Sequence, residues 1–156
     1  MKRNLLALPF GIGVVAGLRT MTAAAAVSWA AHLRVIDLED TRLAFLGRSI
    51  APGVLTLAAV GELVTDQLPS TPSRKVPVQL AGRILTGAFA GGVVGSAVGS
   101  WRVGVALGIL GATIGTLAGA SARGRLAARL RHDPPAAVIE DAVAIGGAVL
   151  VIASVP

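Results

Sequence analysis

Apolar residues fall in five long runs, about 5–33, 50–68, 78–99, 103–122 and 136–155, and the charged residues gather between them. Each run can supply the roughly 20 residues that a helix needs to cross the ~30 Å hydrocarbon layer. An open sheet cannot satisfy its backbone in lipid, so the runs are read as helices. The pattern predicts an all-α fold: one polytopic transmembrane helical bundle over residues 1–156 with about five spans.

The first run is the longest, and Gly17, Arg19 and Thr20 divide it. It can be one tilted helix or two half-helices that re-enter on the same side. The excess of Lys/Arg expected in cytoplasmic loops decides between them. A single crossing puts Lys2, Arg3, Arg74, Lys75, Arg83, Arg123, Arg125, Arg129 and Arg131 inside and leaves Arg34, Arg42, Arg48 and Arg102 outside. Re-entry removes that asymmetry. The expected topology is therefore five spans in the inner or plasma membrane, N-terminus cytoplasmic and C-terminus outside, with Trp29 and Trp101 at the outer interface. The opening "MKRNLLALPFGIGVVAGLRTMTAAAA" imitates a signal peptide, but Arg19 interrupts it just before the possible cleavage site, and it is read as a retained first span.

Glycine recurs every fourth residue at Gly87, Gly91, Gly95 and Gly99, at Gly104 and Gly108, and at Gly111, Gly115 and Gly119. Such spacing puts each set on one helix face, where two backbones can approach closely. A glycine-zipper hairpin turning at Ser100, Trp101 and Arg102 is expected, packing within the chain or between subunits. A pore lined by glycine backbone is the sharper alternative.

Composition agrees with a lipid setting: 54% of the residues are apolar and only 14% are charged, against roughly 25% in soluble domains. The net charge of +6 does not point to nucleic acid, because the basic residues stand at the ends of apolar runs and the aromatic residues are few. The bilayer is the expected partner, with anionic headgroups meeting the stretch from Arg123 to Arg131. With no cysteine, disulfides, thiolate metal sites and cysteine nucleophiles are excluded. His32 and His132 sit at the ends of apolar segments as interfacial residues, and no Ser-His-Asp set is in place.

The candidate chemistry lies where the second run ends, in "GELVTDQLPSTPSRKVP". Glu62 and Asp66 are four residues apart on a helix, an arrangement that is unfavourable for like charges unless a cation or proton lies between them. The single-crossing topology brings Glu140, Asp141 and Arg83 to the same depth. Glu62, Asp66, Glu140 and Asp141 are the candidate cation or proton site, and oxygen ligands suit a divalent metal, with Glu62, Asp66 and Asp141 as its holders. Arg74 and Lys75, beside Ser70, Thr71 and Ser73 in a loop stiffened by prolines, could hold a phosphate, though no phosphate-cradling glycine motif occurs. Ion pairing of the acids with Arg74, Lys75 and Arg83 to fix helix register is the plain alternative. Arg19 is expected to stand apart from this cluster, deep in the hydrocarbon, facing the bundle interior or a wet cavity.

The stretches "AGLRTMTAAAAVSWAAHL", "GELVTDQLPSTPSR" and "EDAVAIGGA" resemble a family of bacterial integral membrane proteins classed as a domain of unknown function. The resemblance implies a membrane protein and draws attention to Arg19, Glu62, Asp66, Arg74, Glu140 and Asp141. It carries over no chemistry. Gln67 stands where the family leads us to expect lysine, and alanine where proline is expected in "TAAAA"; the second departure favours a less broken first span.

The leading expectation is a small ion or solute transporter or channel, assembled as a homo-oligomer because so short a chain can hardly enclose a polar path alone. The alternatives are a metal-dependent enzyme acting on a phosphorylated lipid, with a divalent cation as cofactor, and a structural or assembly protein. Arginines that neutralise every acid would favour the last.

Overall fold

The computed structural model describes residues 5–66, 77–130 and 133–156, less the side chains of residues 130, 133 and 134. The described residues form α1 (Ala7–Leu18), α2 (Thr20–His32), a 3-10 turn (Ala44–Gly47), α3 (Ile50–Thr65), α4 (Pro77–Ala97), α5 (Trp101–Leu130) and α6 (Asp133–Ala153). Of these, α4, α5 and α6 are long and apolar enough to cross a membrane, whereas α1 and α3 are shorter apolar helices. The fourth run continues as helix beyond residue 122 to Leu130, and Pro134 and Pro135 stand in the first turn of α6. Proline suits that place because its missing N–H has no intrahelical partner to lose.

The α4–α5 hairpin is present and turns at Gly99, whose φ of +99° belongs to the left-handed region open to glycine. Gly87, Gly91 and Gly95 of α4 meet Gly104 and Gly108 of α5 backbone to backbone, and a methyl added at Gly95 would lie 2.6 Å from Gly104 Cα. Gly111 and Gly115 of α5 admit α1 in the same way, 2.9 and 3.0 Å from the N and Cα of Val14. The close approaches are therefore used within one chain. Gly99 was expected in this contact, but it belongs to the turn, with nothing within 4 Å of where its side chain would be.

The largest departure from expectation is in the first segment. Residues 5–33 do not form one continuous helix. Gly13 lies against Gly108 and Gly17 against Ala112 and Thr116, so α1 runs parallel to α5. At Arg19 the backbone becomes extended (φ −141°, ψ 106°), and α2 starts at Thr20 in the opposite direction. The chain beyond α2 returns to the hairpin end, where Leu38, Thr41 and Leu43 share a cavity with Phe89, Ser96 and Trp101. Thus α1 and α2 form a re-entrant pair with Arg19 at its apex. Gly11 faces Val151 of α6, so the start of α1 and the end of α6 share one end of the bundle. A single crossing had put the two termini on opposite sides; here the described ends of α1 and α6 lie together, and the Lys/Arg count that rested on a single crossing no longer sets an orientation. Trp29 and Trp101 do stand at the same end, both partly exposed.

At that end α2 stops in a Schellman motif. Val35 N–H donates to the Ala30 carbonyl (2.9 Å) and Arg34 N–H to the Ala31 carbonyl (3.1 Å). The left-handed residue is Arg34 (φ 58°), where glycine is usual. The buried apolar core joins Ile12, Val15 and Ala16 of α1 with Val27 and Ala30 of α2, Val93 and Val94 of α4, and Ile36, Leu38 and Leu46 of the return loop. Helix α3 is peripheral: it packs on α2 and the 3-10 turn, and only Pro52 and Ala59 of it are buried.

Candidate functional site

Breaking a helix inside a bundle leaves carbonyls at one end and N–H groups at the other without intrahelical partners. In an apolar interior each such group must find another partner. At the end of α1, Arg83 Nη1 donates to the carbonyls of Gly17 and Leu18, both at 2.8 Å, and the Thr116 hydroxyl lies 3.2 Å from the Gly17 carbonyl while also reaching that of Ala112 at 2.8 Å. At the start of α2, Glu62 accepts the N–H of Thr20 on Oε1 (2.8 Å) and that of Met21 on Oε2 (2.7 Å). A cation thus sits at the negative end of one helix dipole and an anion at the positive end of the other.

Local sequence dictates these positions. Arg83 shares the buried face of α4 with Gly87, Ala90, Gly91 and Val94, the helical spacing that turns a side chain inward. Asp141 lies on a buried face of α6 with Ala137, Ala144 and Ala148. Glu62 lies in the last turn of α3 and Asp66 caps it.

Arg19 fills the space between. Its side chain is fully buried. Nε donates to Asp141 Oδ1 (2.5 Å), Nη1 pairs with Asp66 Oδ2, and Nη2 pairs with Asp141 and lies 3.8 Å from Glu140 Oε2. Arg83 Nη2 lies 3.8 Å from Glu62 Oε1 and 4.0 Å from Asp66 Oδ2. Arg123 completes the set: Nη1 is 3.7 Å from Glu140 Oε2, and Nη2 donates to the backbone carbonyl of Asp66 (3.2 Å).

The structure therefore brings together Glu62, Asp66, Arg83, Glu140 and Asp141, as the sequence suggested, but places Arg19 at their centre and not apart. The reason is topological: the segment doubles back at Arg19, so the residue lies at the level where α3 ends and α4 begins. Arg123, expected to face anionic headgroups, turns inward, while Arg125 and Arg129 are exposed. Its signal was available, since Arg123 lies four residues beyond Gly119 on the packed face of α5. Thr116 was also missed, for the same reason of spacing from Ala112. Arg74, Lys75 and the hydroxyls of their loop lie outside the described residues, as do His132 and Arg131.

The chain matches, over residues 6–155, the family described as Domain of unknown function (DUF4126). It belongs to this family. No curated protein and no solved structure matches it. The resemblance carried by "GLRTMT" and "DQLPSTPSR" is thus one of family membership, and DUF4126 supplies no chemistry of its own. What the site can do must come from its geometry. Among the described residues, no three His, Asp or Glu side chains are grouped so as to hold a metal ion. Of the three acids expected to hold a metal, Asp66 and Asp141 have Arg19 between them, and Glu62 accepts the N–H groups at the start of α2.

Proposed function

We propose that the protein moves an ion or a small charged solute across the membrane, with the helix break at Arg19 as the element on which selectivity and movement depend. The observation that supports this reading is the discontinuous α1–α2 pair, whose opposed ends lie inside the bundle among Arg19, Arg83, Glu62, Asp66, Glu140 and Asp141. Transporters place coupling-ion sites at interrupted helices, where unwound backbone and charged side chains can exchange partners. Ionisable residues inside a membrane are costly and mark ion or proton pathways. Three full-length helices cannot surround a path alone, so this reading includes self-assembly. The glycine contacts are used within the chain, which leaves the exposed apolar faces of α3 and α6 for that role.

A second reading rests on a specific observation. Every one of the four acids has an arginine within 4.0 Å, which suits a network that fixes helix register. One experiment separates the two. Purified protein is reconstituted in liposomes, and proton, sodium and potassium flux is measured under an imposed gradient beside the Asp66→Asn, Asp141→Asn double variant. Flux in the parent that changes severalfold in a folded double variant upholds transport. Flux no greater than in empty liposomes, or equal in parent and variant, rejects it in favour of the register role.

A further inference from the structure

A groove of about 690 Å³ runs along the outside of α2 between α3 and α6, lined by Thr22, Trp29, Ala59, Val60, Ile145 and Val149 among others. Its lining on α6 extends from Ile145 to Ala153, with Val155 just beyond the helix. At 1.5 Å per residue the helical positions cover roughly 12 Å, a little under half of the ~30 Å hydrocarbon thickness. The groove has close to the depth of one leaflet.

Its upper end is polar. Trp29 closes it there, with the indole N–H donating to Thr56 Oγ1 (3.0 Å) and the ring packed edge-on against His32 at 5.7 Å between centroids. His32 in turn lines a second cavity of about 370 Å³ with Arg34, Asp37, Glu39 and Arg48. Arg34 pairs with Glu39 at 2.8 Å, and Asp37 accepts the N–H of Glu39 at 3.0 Å. Arg48 is exposed and has no acidic partner among the described residues. Arg34 keeps its place although its left-handed backbone is unfavourable for a non-glycine residue. A strained residue that persists directs attention to what its side chain does.

We infer that this face binds an anionic glycerophospholipid, one acyl chain lying in the α2–α3–α6 groove and the phosphate meeting Arg48 and Arg34. Both halves of the ligand are complemented in the right order, apolar for most of a leaflet's depth and then polar at the end where Trp29 and Trp101 lie; there Asp37 and Glu39 offset the charge of the two arginines, but Arg48 has no acidic partner among the described residues. The site is at the opposite end of the bundle from the exposed Arg125 and Arg129, and it uses none of the residues around Arg19.

Trp29 supplies its own probe. In a Trp101→Phe protein it is the sole indole, and vesicles of phosphatidylcholine are doped at equal mole fraction with bromine-labelled phosphatidylglycerol or bromine-labelled phosphatidylcholine. Labelled phosphatidylglycerol should quench Trp29 more, with an apparent preference of roughly fivefold per arginine engaged. The Arg34→Gln, Arg48→Gln variant should quench equally with both lipids. Ala153→Leu, at an exposed position of the groove wall, should lower the excess while leaving the headgroup arginines in place. Equal quenching by the two lipids in the parent overturns the proposal without recourse to any variant, and so does an excess that survives loss of both arginines.

Discussion

Glu62, in the last turn of α3, accepts the backbone N–H of Met21 at 2.7 Å, and so caps a helix that belongs to a different part of the chain. Its other oxygen takes Thr20. The two N–H groups meet different oxygens of the carboxylate, and in glutamine one of those positions becomes an NH2 group that cannot accept. Glu62→Gln should therefore lower stability by about 1–2 kcal/mol through a lost acceptor and a lost charge at the dipole. Thermal unfolding of the purified protein in detergent measures this, and an unchanged midpoint would remove Glu62 from its capping role.

Arg83 does the reciprocal work for the carbonyls of Gly17 and Leu18 with one nitrogen and faces Glu62 and Asp66 with another. A lysine keeps the charge but not the planar fork that serves both directions. Arg83→Lys is expected to lose about 1–2 kcal/mol, and Arg83→Met more, since the carbonyls of Gly17 and Leu18 then lose the guanidinium donor and Glu62 the cation facing it. Equal stability of parent and lysine variant in the same unfolding assay would show that charge alone suffices.

Arg19→Met leaves Asp66 and Asp141 without their central partner. Removing one member of a buried ion pair typically costs about 3–5 kcal/mol, because the remaining charge stays desolvated. The triple variant Arg19→Met, Asp66→Asn, Asp141→Asn should regain a large part of that loss. If the triple variant is no more stable than Arg19→Met, the penalty arises from packing at the break and not from charge.

The glycines divide into two classes that one assay distinguishes. Gly95→Ala places a methyl 2.6 Å from Gly104 Cα and 2.8 Å from the Ser100 carbonyl oxygen, so the hairpin must open at a cost of about 1–3 kcal/mol. Gly61→Ala on α3 meets nothing within 4 Å and should stabilise the helix by about 0.5–1 kcal/mol. The two melting shifts should have opposite signs.

Most helices were legible because apolar run length reports them directly; runs 78–99 and 136–155 became α4 and α6 with ends displaced by a few residues. The break at Arg19 was less so. Gly17, Arg19 and Thr20 marked where the segment divides, but a topology rule that counts Lys and Arg treats Lys2 and Arg3 as the deciding charges and is blind to partners. What holds the break open is contributed from 42 to 122 residues away, by Glu62, Asp66, Arg83 and Asp141. Local sequence does not encode that convergence, although the inward spacing of Arg83 and of Asp141 was readable on their own helices. Arg123 was lost among neighbouring arginines that are exposed.

The separation of 122 positions between Arg19 and Asp141 also sets an order of events during synthesis. Arg19 leaves the ribosome before Asp66, which is made with the end of α3, and Asp141 comes only with α6. Until α6 is made, the α1–α2 pair carries at its apex a cation whose set of partners is incomplete.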